Sequence, residues 1–487
     1  MKGPPNYYAI LGISSAATQS EIRVAAERLG SQFSADMHDP AGNVAYRQLL
    51  TAYDVLSNPE KRASYDAQLT QLSSRLLQVN LMASRQTIGP EQEHLLYLLT
   101  DIRPPEQKQE EKQAVNICLV IDRSTSMRGE RLDRVKAATR LMVEKLSGED
   151  VISIVTFSDR AELVCPAGFA QNRNQILARL STIMAGGGTE IYQGLKAGVR
   201  ELTKVTLSKY VNQLILLTDG HTYGDEEECL KLAGESAGRG ISFSAFGIGG
   251  DWNDKFLDQL VAPASGHSAY IENPADLIRH LNERIQGLSV IYAQDVHLAL
   301  QLPENVSLKY AMKMTPFAQP LTGRKHDLTL GSLEGRAPLS VLLELVVRPQ
   351  FVGQVVKIPL KFTANIPSHR LQNYEIEAVH EMTVVTGVES PPPPQLLVRA
   401  VQMLNLYRMN EQVWDDVEAG RLEVATSRIK RLTSRLEEAG HSQLAQQARL
   451  ETQRLAHVGT MSLEGRKKLK YGTRSLLTKT MKLVEHD

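Results

Sequence analysis

Between residues 114 and 286 the chain alternates short, unbroken apolar runs with longer amphipathic ones, and this rhythm restricts the fold more than any other feature. The runs 115–121, 151–157, 211–218 and 241–248 are largely apolar along their length rather than at every second position. A strand with one face in water alternates; a strand covered on both faces does not. Between the first two runs, 130–146 places Leu132, Val135, Ala138, Met142 and Leu146 at steps of three and four, one face of a helix. The stretches 172–184, 190–202, 225–238, 253–261 and 274–285 also read as helices, and 268–271 as one more short strand. Such alternation predicts a parallel sheet covered by helices on both sides, the doubly wound α/β class.

The flanks read differently. Residues 1–70 carry four helical stretches, about 6–10, 20–33, 42–57 and 59–67, the last opened by Asn58 as cap and Pro59 at the first helical position. From 77 to 107 the composition turns to strands, at 76–88 and 94–102, and Pro104-Pro105 with the charged run behind it reads as an exposed linker. In 290–387, Val296, Leu298, Leu300 and Leu302 alternate with His297, Ala299 and Gln301, and 341–347, 355–363 and 374–385 also read as strands. An antiparallel β-sandwich is expected there, completed by the 77–107 strands. The α/β domain then becomes an insertion in that sandwich, with both its ends on the same side. The prolines at 391–394 mark a stiff break, and 396–409, 421–438 and 442–457 have helical periodicity, giving a helical domain over 395–458. The segment 459–487 includes Arg466, Lys467, Lys468, Lys470, Arg474, Lys479 and Lys482. It reads as a solvated basic tail, with an acidic or membrane-surface partner as the sharper alternative.

Composition narrows the function class. The chain's 55 Lys and Arg balance 55 Asp and Glu, so no global field draws it to nucleic acid or membrane. No interleaving of aromatic and basic residues adds a nucleic-acid signature. Cys118, Cys165 and Cys229 are too few for a disulfide or zinc framework and point to a reducing compartment. The first residues lack the apolar stretch of a secretory signal, and no run of about 18 apolar residues offers a transmembrane segment. A cytoplasmic protein is expected.

Three loops carry the chemistry. Asp122-Arg123-Ser124-Thr125-Ser126-Met127 follows the first strand, Gly186-Gly187-Gly188-Thr189 opens a helical stretch, and Thr218-Asp219-Gly220 ends a later strand. In an open parallel sheet, ligands bind beyond the carboxyl ends of the strands, near the reversal in strand order. The three loops can converge there. Hydroxyls of Ser124, Ser126 and Thr189 can coordinate a hard divalent cation directly, while Asp122 and Asp219 hold waters or hydroxyls around it. Few anionic ligands leave such an ion electrophilic, with a position for a carboxylate from a partner protein.

This set resembles the von Willebrand factor type A domain with its metal-ion-dependent adhesion site, all five liganding positions of which are present. The resemblance covers about 114–286. It implies a Rossmann-like sheet, bound magnesium (with manganese or calcium as alternatives) and recognition of an Asp or Glu side chain on a partner. Residues 1–70 resemble a second family, the J-domain of Hsp70 co-chaperones. The match lies in Tyr7-Tyr8-Ala9-Ile10-Leu11-Gly12-Ile13, Ala45-Tyr46-Arg47-Gln48-Leu49, Ala52-Tyr53-Asp54-Val55-Leu56-Ser57 and Arg62-Ala63-Ser64-Tyr65-Asp66. That family's ATPase-stimulating His-Pro-Asp falls on Ser34-Ala35-Asp36 here, and His38-Asp39-Pro40 is out of register. A degenerate J-like module serving binding or scaffolding is expected.

Enzymatic readings are weaker. Gly247-Ile248-Gly249-Gly250 is too short for a dinucleotide fingerprint, and no phosphate-binding Gly-x4-Gly-Lys-Ser/Thr occurs. Hydrolysis at the cation needs a positioned base, for which His221 is the candidate. An aspartyl-phosphate nucleophile at Asp122 lacks its usual carboxylate neighbour, since Ser124 stands two residues on. The expectation is a non-enzymatic adaptor, with a co-chaperone contacting the Hsp70 system as the alternative and a metal-dependent hydrolase as a third.

Overall fold

The computed structural model describes residues 7–13, 17–33, 40–105, 113–222, 224–288, 290–321, 326–335, 337–369, 371–387 and 391–483. Ser34-Ala35-Asp36, His38-Asp39 and the charged run 106–112 lie outside these residues.

The N-terminal module comprises α1 (Tyr7–Leu11), α2 (Gln19–Phe33), α3 (Pro40–Ser57) and α4 (Pro59–Leu76). Thr18 and Glu21 open α2 as a reciprocal cap: Glu21 N donates to Thr18 Oγ1 at 3.3 Å and Thr18 N to Glu21 Oε2 at 2.7 Å. Leu11, Ile22, Leu49, Ala52 and Leu56 form a small buried core. Tyr8 ties α1 to α4, donating to Asp66 Oδ1 at 2.8 Å while its oxygen accepts from Arg62 Nε at 2.8 Å. Helix α4 runs past the expected end at 67, because no Gly or Pro interrupts 68–76.

Consequently the expected strand at 76–88 starts later and splits into β1 (Gln78–Ala83) and β2 (Thr87–Ile88), followed by β3 (His94–Arg103). The α/β domain follows. It runs β4 (Val115–Asp122), α5 (Glu130–Lys145), β5 (Val151–Phe157), β6 (Ala161–Phe169), α6 (Arg173–Ser181), α7 (Ile191–Leu202), β7 (Val211–Thr218), α8 (Glu226–Ala237), β8 (Ile241–Ile248), α9 (Asp254–Val261), β9 (His267–Ile271) and α10 (Pro274–Leu288). Its six strands lie in the order β6-β5-β4-β7-β8-β9. All neighbours are parallel except β5 and β6. The two faces have separate cores. Ile117, Leu119 and Ile121 of β4 pack with α5, α6 and α10, while Cys118 and Val120 pack with α7, α8 and α9. Strand β6 escaped the sequence reading, which went from the strand 151–157 straight to a helix. As an edge strand it buries only Cys165 and accommodates Pro166, so it lacks an apolar signature.

Then come β10 (Ile291–Leu300), β11 (Val306–Lys313), β12 (Gln319–Pro320), β13 (Asp327–Glu334), β14 (Leu339–Val347), β15 (Val355–Ile366) and β16 (Leu371–Val384). They form two five-stranded sheets, β1-β3-β14-β11-β12 and β13-β10-β15-β16-β2, with one apolar core between them. Strand β3 lies antiparallel to β14 from Leu339↔Ile102 to Val347↔His94, so the α/β domain is inserted in the sandwich between β3 and β10. Strands β11 and β13 were not foreseen: Lys309 and Lys313 in one, Thr329, Gly331 and Ser332 in the other, dilute the alternation.

Helices α11 (Gln395–Glu418), α12 (Leu422–Glu438), α13 (Ser442–Val458) and α14 (Leu463–Leu483) cover the outer face of the first sheet. Leu99, Met312 and Leu342 of the sandwich share a core there with Leu404, Leu432 and Leu477. This second covering explains why 341–347 is apolar except at Glu344, which is buried and paired with Arg408 and Lys309.

Helix α14 corrects the expectation of a solvated basic tail over 459–487. Arg466, Lys467, Lys470 and Arg474 are all buried, with Lys470 only 2% exposed. Their counter-charges sit on α9. Lys470 Nζ lies 2.5 Å from Asp254 Oδ2 and 2.8 Å from Asp258 Oδ2, and the Arg474 guanidinium takes both Asp258 oxygens at 2.9 and 2.5 Å. Burial alone would raise the Asp258 carboxyl, but Arg474 and Lys470 outweigh it and hold it well below the usual carboxylate range. Lys467 reaches Gly250 O and stacks over Trp252, 4.7 Å from the ring centroid. Local charge counting cannot reveal partners more than 200 residues away in sequence.

Removing one member of such a buried set strands the others. Lys470→Ala is therefore expected to cost about 3–5 kcal/mol, read from urea unfolding of the full chain. A loss below about 1 kcal/mol would mean that these charges are screened like a surface pair.

Candidate metal-binding site

Strand β4 has β5 on one side and β7 on the other, so the chain leaves the middle of the sheet in opposite directions. The crevice this opens lies beyond Asp122, the last residue of β4, and Thr218, the last of β7. Asp122 is fully buried. Its Oδ1 accepts from Ser124 N at 2.8 Å, bending the first loop back, and its Oδ2 accepts from Thr218 Oγ1 at 2.7 Å, bridging to the third. Burial raises the Asp122 carboxyl, and the Thr218 and Ser124 hydrogen bonds pull it partly back.

From there hydroxyls lead across the crevice. Ser124 Oγ lies 2.9 Å from Ser126 Oγ, and Ser126 Oγ donates to Asp219 Oδ1 at 2.7 Å. Asp219 is itself fully buried, and its other oxygen is ion-paired with Arg131 of α5. Thr189 is buried beside Gly220, its Oγ1 3.4 Å from where a Cβ on that glycine would stand. Ser124 and Thr189 are buried while Ser126 is exposed, so the hydroxyl set opens to solvent on one side.

The glycine loop is strapped to its neighbours by backbone bonds. Gly186 N donates to Arg123 O at 2.7 Å, Thr125 N to Gly187 O at 3.0 Å, and Glu190 N to Ser158 O at 2.8 Å. Gly187 has φ +88°, and a Cβ there would stand 2.6 Å from Asp159 Oδ2. Only glycine fits.

Thus Asp122, Ser124, Ser126 and Asp219 form one hydrogen-bonded chain, with Thr189 against the Asp219-Gly220 turn. Thr218 and Arg131 bond directly to the set, and the sequence pattern did not single them out. Thr218 sat inside a quoted motif; Arg131 carried no distinguishing signal. His221, the candidate base, is exposed and is not among the residues whose hydrogen bonds join the set. Among the described residues, no three His, Cys, Asp or Glu side chains gather into a metal-holding cluster. The set here is chemically different, two carboxylates and three hydroxyls. An all-oxygen, mostly neutral donor set fits magnesium, manganese or calcium and not a soft thiolate-seeking metal.

Comparison with known proteins identifies three domains on the chain. Residues 116–284 match the von Willebrand factor type A domain, 6–66 the DnaJ domain, and 395–479 the Sll0103-like, C-terminal alpha-helical domain, a match that takes in most of α14. Over 325 residues, 65% of this chain and 77% of the relative, it is 28% identical to the uncharacterized protein sll0103 of Synechocystis sp.. Over 68 residues, 14% of this chain and 18% of the relative, it is 41% identical to the chaperone protein DnaJ of Acetivibrio thermocellus. In fold it is similar to a von Willebrand factor type A protein from Catenulispora acidiphila, with a TM-score of 0.66 and 17% identity over 82% of this chain and 96% of that one. The chain therefore carries a DnaJ domain, a von Willebrand factor type A domain and a C-terminal helical domain, features of a protein-interaction scaffold.

Thr218→Val would leave Asp122 Oδ2 buried without its hydroxyl donor. The expected loss is about 1–3 kcal/mol in equilibrium unfolding. Unchanged stability would mean that another donor replaces the threonine.

Proposed function

We propose that this protein is a non-enzymatic adaptor that captures an acidic residue of a protein partner through a divalent cation held by Asp122, Ser124, Ser126, Thr189 and Asp219. The observation that carries this reading is the unbroken hydrogen-bonded path from Asp122 through Ser124 and Ser126 to Asp219. It brings residues 97 positions apart in sequence (219 − 122) to one rim. When bound, magnesium (or manganese or calcium) supplies a positive centre with a coordination position for an outside oxygen. Ser124, Ser126 and Thr189 are the direct protein ligands in this reading. Asp122 fixes the first loop through Ser124 N and the third through Thr218, and Asp219 orients Ser126. Neutral direct ligands leave most of the cation's charge for the partner's Asp or Glu. Both Asp122 oxygens are already engaged, which argues against a nucleophilic role for this carboxylate. The three unpaired cysteines support a cytoplasmic location.

The full-length protein is expected to gain thermal stability on addition of magnesium chloride and to retain its partners in pull-downs only without chelator. Asp122→Ala should abolish both effects. If chelator and Asp122→Ala leave every interaction unchanged, this mechanism is wrong.

A second reading follows from the DnaJ match over 6–66. The module would contact an Hsp70-type chaperone. With Ser34-Ala35-Asp36 standing where that family has His-Pro-Asp, we read it as a docking or scaffolding module without ATPase stimulation. An Hsp70 ATPase assay with the full chain is expected to show none; a several-fold rise would make the protein a working co-chaperone.

A further inference from the structure

We propose that Arg131 is a built-in rival of the divalent cation, holding Asp219 in the cation-free state and releasing it when the ion binds. This rests on the reading of the site given above.

Arg131 occupies the first turn of α5 (Glu130–Lys145), where the aligned peptide dipoles favour negative charge. Its neighbours in that turn, Glu130 and Asp133, obey this preference. A guanidinium in such a place needs a strong counter-charge, and Asp219 supplies it. Conversely, Asp219 is 0% exposed, and a buried carboxylate without a cation is costly. Among the described residues, Arg131 is the cation paired with a carboxylate of the site. The pair therefore neutralises Asp219 from within.

That pairing opposes binding in two ways. Asp219 Oδ1 is already committed to Ser126 Oγ, and Oδ2 to Arg131. A water on the cation, donating to Asp219, would have to share an oxygen with Ser126 or compete with Arg131 for the other. In addition, a guanidinium and a divalent ion on one buried carboxylate repel each other with little solvent between them. The guanidinium also has an exit. Its side chain is 38% exposed, and its terminal nitrogen comes within 3.4 Å of a Cβ position on Gly249, in the loop after β8. It thus stands on the rim and can leave without disturbing the packed face of α5. Binding is then an exchange of one cation for another, and the affinity for the ion is set partly by the grip of Arg131.

The test uses the full chain, with magnesium chloride as the probe, isothermal calorimetry for affinity and thermal unfolding as a second readout. Arg131→Ala should bind magnesium at least about fivefold more tightly than the wild type, the scale of one partly exposed ion pair. In chelator it should melt below the wild type, and magnesium should raise its midpoint by more. Arg131→Gln, which keeps a neutral donor, covers the case in which the alanine variant does not fold without the ion, and the same tightening is expected of it. Equal or weaker magnesium binding by both variants, beside a wild type that binds, would overturn the proposal while leaving the site intact. If neither the wild type nor the variants bind magnesium, the reading of the site fails, and this inference with it. Binding by the variants alone would support it.

Discussion

A carboxylate at the end of a central strand, sealed from water, is the constraint around which the α/β domain is organised. Asp122 cannot be solvated where it sits, so the chain must bring donors to it. The backbone of its own loop supplies one and Thr218 of the adjacent strand the other. Satisfying that one group fixes two loops relative to each other. The glycine loop is fastened to the first by Gly186 N and Gly187 O. Parallel order at the centre of the sheet makes this possible, because it puts the carboxyl ends of β4 and β7 side by side. The hydroxyl set is thus preorganised by hydrogen bonds that belong to the fold itself.

Charge is managed similarly elsewhere. In the crevice Asp219 is matched by Arg131; between α9 and α14, Asp254 and Asp258 are matched by Lys470 and Arg474. Both arrangements put a buried carboxylate against a cation from another element. Their surroundings differ. Arg131 is partly exposed and Lys470 is not, so the first pair can open where the second is held by packing on every side.

Much of this was legible in the sequence wherever burial imposes a period or a motif imposes a residue type. The inserted α/β domain showed in runs such as 211–218, because strands covered on both faces admit few polar residues. The site residues showed because Ser124, Thr189 and Asp219 lie at strand or helix ends, in strings whose order is informative. What stayed hidden depends on distant partners. Strand β6 is held at an edge by β5, with no apolar pattern of its own. The basic residues of α14 look like a solvated face until α9 is placed opposite. Arg131 resembles any surface arginine of a first turn until β7 delivers Asp219.

The insertion has a mechanical side. The α/β domain leaves the sandwich after β3 and returns at β10, and Gln113 and Gln294 at these crossings lie within 3.4 Å of each other. A body hung from two such close threads alone would swivel. Helix α14, arriving from the far end of the chain, clamps α9, and Lys313 and Glu334 of the sandwich grip Ser265 and Arg284, so the pendulum becomes a braced frame. A load applied at the rim of the crevice is then borne by the whole frame instead of being lost as rotation.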